Sequence, residues 1–206
     1  MSEPFRIAVL ISGEGTNLQA LLDDDHIDVA AVASSRPGAR GLRRAREAGV
    51  ETGVFEIAGH GDRDARDRAL ADWIERKGAQ LVVLAGFMEI LGGDFIGRFA
   101  GRILNVHPSL LPAFPGVGAI EQALEYGVKV TGVTVHFVDE AVDSGPIVLQ
   151  EALPLTYSRN VEEIEARVHE LEHRLLPRAV RLIAAGRVSV DPGNPRVVRV
   201  EDAEND

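Results

Sequence analysis

The chain has 206 residues, a hydrophobic fraction of 45%, a charged fraction of 26% and a net charge of -10. That size suits one domain with a substantial core, and the acidic balance argues against a nucleic-acid-binding surface, which needs clustered Lys and Arg. With no cysteine, disulfides, thiolate chemistry and Cys-ligated zinc are excluded.

The first apolar run, residues 5–12, is continuous rather than alternating, which predicts a parallel strand covered on both faces. A turn over 13–17 leads into a helix opening at 18–22. Residues 29–34 predict a second strand, 41–48 a helix stopped by Gly49, and 52–57 a third strand. A polar loop over 59–64 precedes an amphipathic helix at 65–77, closed by Gly78. Residues 81–85 are a fourth strand, and 102–104 read as a short strand before Asn105. This alternation predicts an α/β fold with a doubly wound, mostly parallel sheet.

After Asn105 the rhythm changes. Residues 119–126 predict a short helix. Val133, Val135 and Phe137 alternate with polar residues, as in a half-exposed strand over 132–138. Residues 147–153 resemble its neighbour, so the two are expected to pair as an antiparallel C-terminal edge around a loop at 139–146. Residues 161–185 predict a long helix that Pro177 kinks or divides. The stretch 191–206 is rich in Pro, Gly, Asp, Glu and Asn and reads as an acidic, flexible tail, leaving 1–190 as a single domain. The N-terminus lacks the basic and apolar regions of a signal peptide, and no apolar run is long enough to span a bilayer. A cytoplasmic protein with no membrane partner is expected.

Three clusters carry chemistry. Gly13, Glu14, Gly15, Thr16 and Asn17 lie between a strand and a helix. Glycine lets a ligand approach the backbone, and the helix start offers free N–H groups to an anion. Leu18 stands where the dinucleotide fingerprint has its third Gly, and no Lys follows as in a Walker A loop, so a single phosphate is the better functional fit. An ordinary capped turn is the alternative. Asn105 and His107 end a strand on one face, with an amide suited to an oxyanion and an imidazole suited to proton transfer. A proline-rich turn with an incidental histidine is the other reading. The third cluster is Asp139, Glu140 and Asp143, closed by Gly145 and Pro146. One carboxylate near His107 would orient its ring, although such a loop is also a common solvated turn. His136 reads as a structural histidine and His173 as part of an exposed helix face. No His-Glu-x-x-His pattern occurs, so no metal is expected.

Taken together these residues resemble the glycinamide ribonucleotide formyltransferase family, folate-dependent enzymes of purine synthesis, over about 6–186. Four segments carry the likeness. Residues 11–21 resemble the family's phosphate loop, and 84–91 its folate-side strand and loop. Asn105 to Pro112 resembles the catalytic segment, and Asp143 to Ile147 the catalytic aspartate loop. The resemblance implies a catalytic triad of Asn105, His107 and Asp143. It also implies substrate contacts from Gly15, Thr16, Asn17 and Glu172, and folate contacts from Arg63, Met88, Glu89, Ile90, Leu91, Asn105, Asp139, Glu140 and Asp143. The implied cosubstrate is 10-formyltetrahydrofolate and the implied acceptor is 5'-phosphoribosylglycinamide, without a metal. The expected partners are these small molecules, with no nucleic acid, on a monomer or homodimer.

Relatives acting on methionyl-tRNA carry an added C-terminal domain, and formyltetrahydrofolate hydrolases an added N-terminal one. This chain is expected to have neither. Two positions depart from the family pattern: Glu89 stands where many relatives have Arg, and Gly118 where many have His. Formyl transfer to a sugar-nucleotide amine or to water, and a binding module without turnover, are the competing readings.

Overall fold

The structure, a computed structural model, describes residues 5–155 and 160–201. The chain forms two compact units, Met1–Asn105 and Val106–Asp206.

The first unit is a parallel βα array. Its strands are β1 (Arg6–Ile11), β2 (Asp28–Ser34), β3 (Glu51–Val54), β4 (Leu81–Leu84) and β5 (Ile103–His107), the last crossing into the second unit with its final two residues. Its helices are α1 (Thr16–Leu22), α2 (Arg40–Glu47), α3 (Arg63–Arg76) and α4 (Gly93–Arg98). The order is β3-β2-β1-β4-β5, and every pairing among these five strands is parallel. Ile7 to Ile11 and Val82 to Val83 are fully buried, as continuous apolar strands covered on both faces should be.

From β1 the chain steps outward to β2 and β3. It then returns to the other side of β1 with β4. This reversal is a topological switch point, and the loops after β1 and β4 open onto its crevice, where open α/β sheets bind ligands. Helix α3 begins at an Asp62 cap, whose side chain accepts the Ala65 N–H. Helix α4 was not legible from the sequence. It is six residues long and contains Gly93 and Gly97, too short and too glycine-rich to show a period. Phe95 and Phe99 anchor it, with ring centroids 4.9 Å apart.

The second unit holds α5 (Ala119–Tyr126), β6 (Val130–Phe137), β7 (Ile147–Pro154), α6 (Val161–Ala184), β8 (Val188–Val190) and β9 (Val198–Val200). β6 and β7 pair antiparallel, as expected, with an irregularity at Val135/His136. The half-exposed reading of β6 is corrected: every residue from Thr131 to Phe137 is buried. Thr134 and His136 are compatible with burial because they find partners inside. The Thr134 hydroxyl donates to Ser109 O at 2.6 Å and accepts the Leu111 N–H at 3.1 Å.

Pro177 does not divide α6, which runs as one helix of 24 residues with Pro177 buried. The proline removes one backbone donor, but α6 packs against β6 and β7 along an apolar stripe that includes Val168, Leu171, Leu175 and Ala179. The tail expectation also needs correction over its described part. Asp191 accepts the N–H groups of Gly193 and Asn194, which forms a turn, and β8 pairs antiparallel with β9. Composition marked this stretch as polar and missed the short Val-Arg-Val strand within it. Residues 202–206 lie outside the described residues.

Candidate active site

In the first unit, two loops flank the switch crevice. β1 is followed by Ser12, a buried residue. Its N–H donates to Gly86 O at 2.9 Å, its hydroxyl accepts the Met88 N–H at 2.9 Å, and it lies 2.8 Å from the Ser35 hydroxyl. One small side chain thus joins the ends of β1 and β2 to the loop after β4. The loop after β1 turns at Gly15, where φ is 72° and a Cβ would stand 2.6 Å from Gly41 Cα, so only glycine fits. Arg44 Nε donates to Glu14 O at 3.0 Å, and Arg40 Nη1 pairs with Glu14 Oε2 at 3.0 Å. The turn is locked to α2 with two guanidinium groups beside it. Thr16 and Asn17 open α1, whose N-cap is Gly15 and makes no side-chain cap bond.

The loop after β4 carries Met88 and Ile90, 61% and 66% exposed, with Glu89 half-buried and Leu91 buried between and after them. Apolar side chains facing out of a backbone-rich loop suit a flat aromatic ring system. Arg63 opens α3 beside this loop: its Nε is 3.5 Å from Asp64 Oδ1, and a Cβ added at Gly92 would lie 3.8 Å from it.

In the second unit the chemistry centres on Asp143. β5 ends at His107, since Pro108 has no N–H with which to extend the ladder. Asn105 lies two positions earlier on the same strand, hence on the same face. The buried His107 ring has its Nδ1 3.3 Å from Asp143 Oδ2, and its Nε2 donates to Phe114 O at 2.9 Å. Asp143 Oδ2 also accepts the Gly116 N–H at 2.8 Å, and Oδ1 lies 3.6 Å from His136 Nε2. Phe114 and Asp143 have φ of 51° and 50°, left-handed values that cost non-glycine residues energy and cluster at functional sites.

Burial acts to raise the Asp143 pKa. The hydrogen bond from His136, that from the Gly116 N–H, and the charges of His107 and His136 outweigh it and hold the carboxyl below its ordinary 3.8. Asp143 is therefore an anion at neutral pH. The loop that presents it is tightly built. A Cβ at Gly145 would meet Phe137 O at 1.9 Å, and the Phe137 N–H donates to Pro146 O at 2.9 Å. Asp139 Oδ1 accepts the Ser144 hydroxyl and the Ala141 N–H, while Glu140 is exposed. Arg196, in the turn between β8 and β9, donates from Nη1 to Ser144 O at 2.7 Å.

The structure brings His107 and Asp143 together, groups Asp139, Glu140 and Asp143 in one loop, and sets Gly15, Thr16 and Asn17 at one side of the switch crevice with Met88 to Leu91 at the other. Glu172 is buried on α6. Gly118 precedes α5 with φ 69°, a conformation that favours glycine. His173 does not belong to an exposed face: it is partly buried, its Nε2 has no partner, and burial, together with the charge of His169, lowers its pKa. His136 was read as structural, and its approach to Asp143 was missed. Also missed were Ser12, the carbonyl of Phe114, and the buried pair Arg66 and Asp67. The helical spacing of Arg66 and Asp67 with the apolar Leu70, Ala71 and Ile74 was the one available signal for that pair. Among the described residues, no group of three or more His, Cys, Asp or Glu could hold a metal ion.

Comparison with known proteins gives a consistent result. Residues 5–180 match the family described as formyl transferase. A phosphoribosylglycinamide formyltransferase from Haemophilus influenzae is 42% identical over 188 residues, covering 89% of each chain. A trifunctional purine biosynthetic protein adenosine-3 from Gallus gallus is 46% identical over 190 residues; the match takes in 90% of this chain and spans 19% of that longer protein. Among solved structures, glycinamide ribonucleotide transformylase 1 from Symbiobacterium toebii superposes with a TM-score of 0.93 at 48% identity, covering 98% of this chain and 96% of that one.

Proposed function

This chain belongs to the formyl transferase family, and on that premise we propose that it moves the formyl group of 10-formyltetrahydrofolate to the primary amine of 5'-phosphoribosylglycinamide, a step of purine synthesis. The observation that carries this reading is the buried His107 ring held between the Asp143 carboxylate and the Phe114 carbonyl, two residues beyond the amide of Asn105. The names of the similar proteins support the acceptor.

The amine nitrogen attacks the formyl carbon and a tetrahedral intermediate forms. Its bond to the folate nitrogen then breaks, and the proton lost by the amine ends on that departing nitrogen. Asn105 donates a hydrogen bond to the developing oxyanion, a contact strongest in the transition state. His107, when protonated, does the same once the oxyanion replaces the Phe114 carbonyl as the acceptor at Nε2. Asp143, ionised at neutral pH, keeps the ring oriented and relays the proton, directly or through water.

Gly15, Thr16 and Asn17 hold the substrate phosphate, with Arg40 and Arg44 bracing the turn. Glu172 contacts the ribose and glycinamide end. Met88, Glu89, Ile90 and Leu91 receive the pterin, largely through backbone groups, and Arg63, Asp139 and Glu140 border the folate. Glu89 does not suit the cosubstrate's acidic tail, so Arg63 is left as the cation of this set. No step requires a metal.

We assign the catalytic domain to 1–190, supported by a family match that runs through both units. Among the described residues no helix is long and apolar enough to cross a membrane. The enzyme is proposed to work in the cytoplasm on small molecules, as a monomer or homodimer. Mass spectrometry of a reaction with both substrates tests the assignment: the ribonucleotide gains one formyl group if it holds, and stays unchanged if the acceptor is another molecule.

A further inference from the structure

Arg66 is a fully buried arginine, and Asp67 beside it is 2% exposed. Burying this pair opposes folding unless its hydrogen bonds are well met. Arg66 Nε donates to Asp67 Oδ1 at 2.6 Å, yet Arg66 Nη1 is buried with no partner. Apolar side chains of similar size would fill this space at lower cost. The remaining contacts of the pair all lead to one place, the loop after β4. Asp67 Oδ2 accepts the Gly92 N–H at 2.7 Å, Arg66 Nη2 makes a long contact of 3.4 Å to Ile90 O, and the guanidinium lies 5.8 Å from the centre of the Phe87 ring.

The other end of the loop is fixed by Ser12, which accepts the Met88 N–H. The backbone is therefore pinned inward at Met88, Ile90 and Gly92. The side chains of Met88 and Ile90 are turned outward as a result, at the switch-point crevice. Gly92 is fitted to this arrangement as well, since a Cβ there would stand 3.2 Å from Asp67 Oδ2.

We propose that Arg66 and Asp67 are positioning residues that hold the Met88–Gly92 backbone in the shape that receives the folate cosubstrate. They act through the loop and touch neither substrate. The inference rests on the functional reading above, because that reading makes this loop the cosubstrate's seat.

Arg66→Lys tests it. Lysine keeps a cation beside Asp67 but lacks the planar fork that reaches two acceptors at once. The variant should raise the KM for 10-formyltetrahydrofolate by roughly tenfold, while kcat at saturating folate and the KM for the ribonucleotide stay within about twofold of wild type. The double variant Arg66→Met/Asp67→Asn removes both charges and keeps an acceptor for the Gly92 N–H. It should show the same selective rise, and it covers the case in which the lysine variant does not fold. Hydrogen exchange without any substrate gives a readout independent of activity: the amides of Met88 to Gly92 should lose protection while those of β1 and β4 keep theirs.

An unchanged folate KM in a folded variant overturns the proposal, as does a parallel loss in both KM values and kcat. Unchanged loop protection overturns it regardless of the kinetics. If wild type shows no folate-dependent transfer, the functional reading fails first, and the assigned role falls with it even where loop protection is lost.

Discussion

The Asp143 carboxylate lies between two imidazoles, with Oδ2 3.3 Å from His107 Nδ1 and Oδ1 3.6 Å from His136 Nε2. Burial opposes a charge there, but the surrounding donors more than compensate, and the group stays ionised at neutral pH. A single anion thus sets the orientation of the ring that ends β5.

His107→Ala and Asp143→Asn should each lower kcat by roughly 10²- to 10⁴-fold, the range expected for losing a positioned proton-transfer group. Phosphate binding at the Gly13–Asn17 turn should survive, because that turn is braced by α2 rather than by the histidine. Steady-state kinetics and ribonucleotide binding by calorimetry check both halves. Near-normal turnover in either variant would remove the assigned roles.

Gly145→Ala should be among the most damaging single-methyl changes in the second unit. The new Cβ would stand 1.9 Å from Phe137 O, a backbone atom that cannot yield without moving the strand end. The loop must shift, and Asp143 with it, so activity should fall by roughly 10²-fold or more for a displacement near 1 Å. Thermal unfolding and kcat, measured together, separate a displaced loop from an unfolded chain. A fully active Ala variant would contradict the geometry.

Arg196→Ala removes the Nη1 bond to Ser144 O, next to Asp143. The residue is exposed, so stability should change little, by about 0.5–1.5 kcal/mol at most. Amide exchange in the Asp139–Pro146 loop should quicken. Unaltered exchange would show that the hairpin of β8 and β9 does not restrain this loop.

His173 gives a pH prediction with a definite sign. Burial is the leading cause of its lowered pKa, and the charge of His169 adds to it. The unfolded chain, with an ordinary value of 6.5, binds the proton more readily than the folded one. Stability therefore rises with pH from the folded pKa up to about 6.5 and is level above it, as far as this group is concerned. His173→Gln should remove that part of the slope in denaturant titrations at successive pH values. A slope identical to wild type would assign it elsewhere.

Much of the fold was legible because parallel strands announce themselves. Residues such as Ile7 to Ile11 are apolar without interruption, and each βα step is closed by glycine or a polar turn. The polar alternation of β6 misled for a physical reason: threonine and histidine look solvent-facing in sequence, and here they are buried with partners supplied by Ser109, Leu111 and Phe137. The short β8 and β9 were hidden by the turn-forming residues around them. At the site, the residues alone suggested a carboxylate of the 139–143 loop beside His107, and the family resemblance singled out Asp143, which the structure sets 3.3 Å from the ring. The contributions of Ser12, Phe114 and His136 depend on backbone carbonyls, turns and long-range approach, which a linear sequence does not display. Arg66 and Asp67 were not singled out, because charged residues on an amphipathic helix carry no sign of their burial in sequence.

The most direct test of the central claim is the absorbance change on folate product release from 10-formyltetrahydrofolate, measured with and without 5'-phosphoribosylglycinamide. Release should require the ribonucleotide and be nearly lost in Asp143→Asn. Equal release in its absence would make the chain a hydrolase, and no release with both substrates present would contradict formyl transfer altogether.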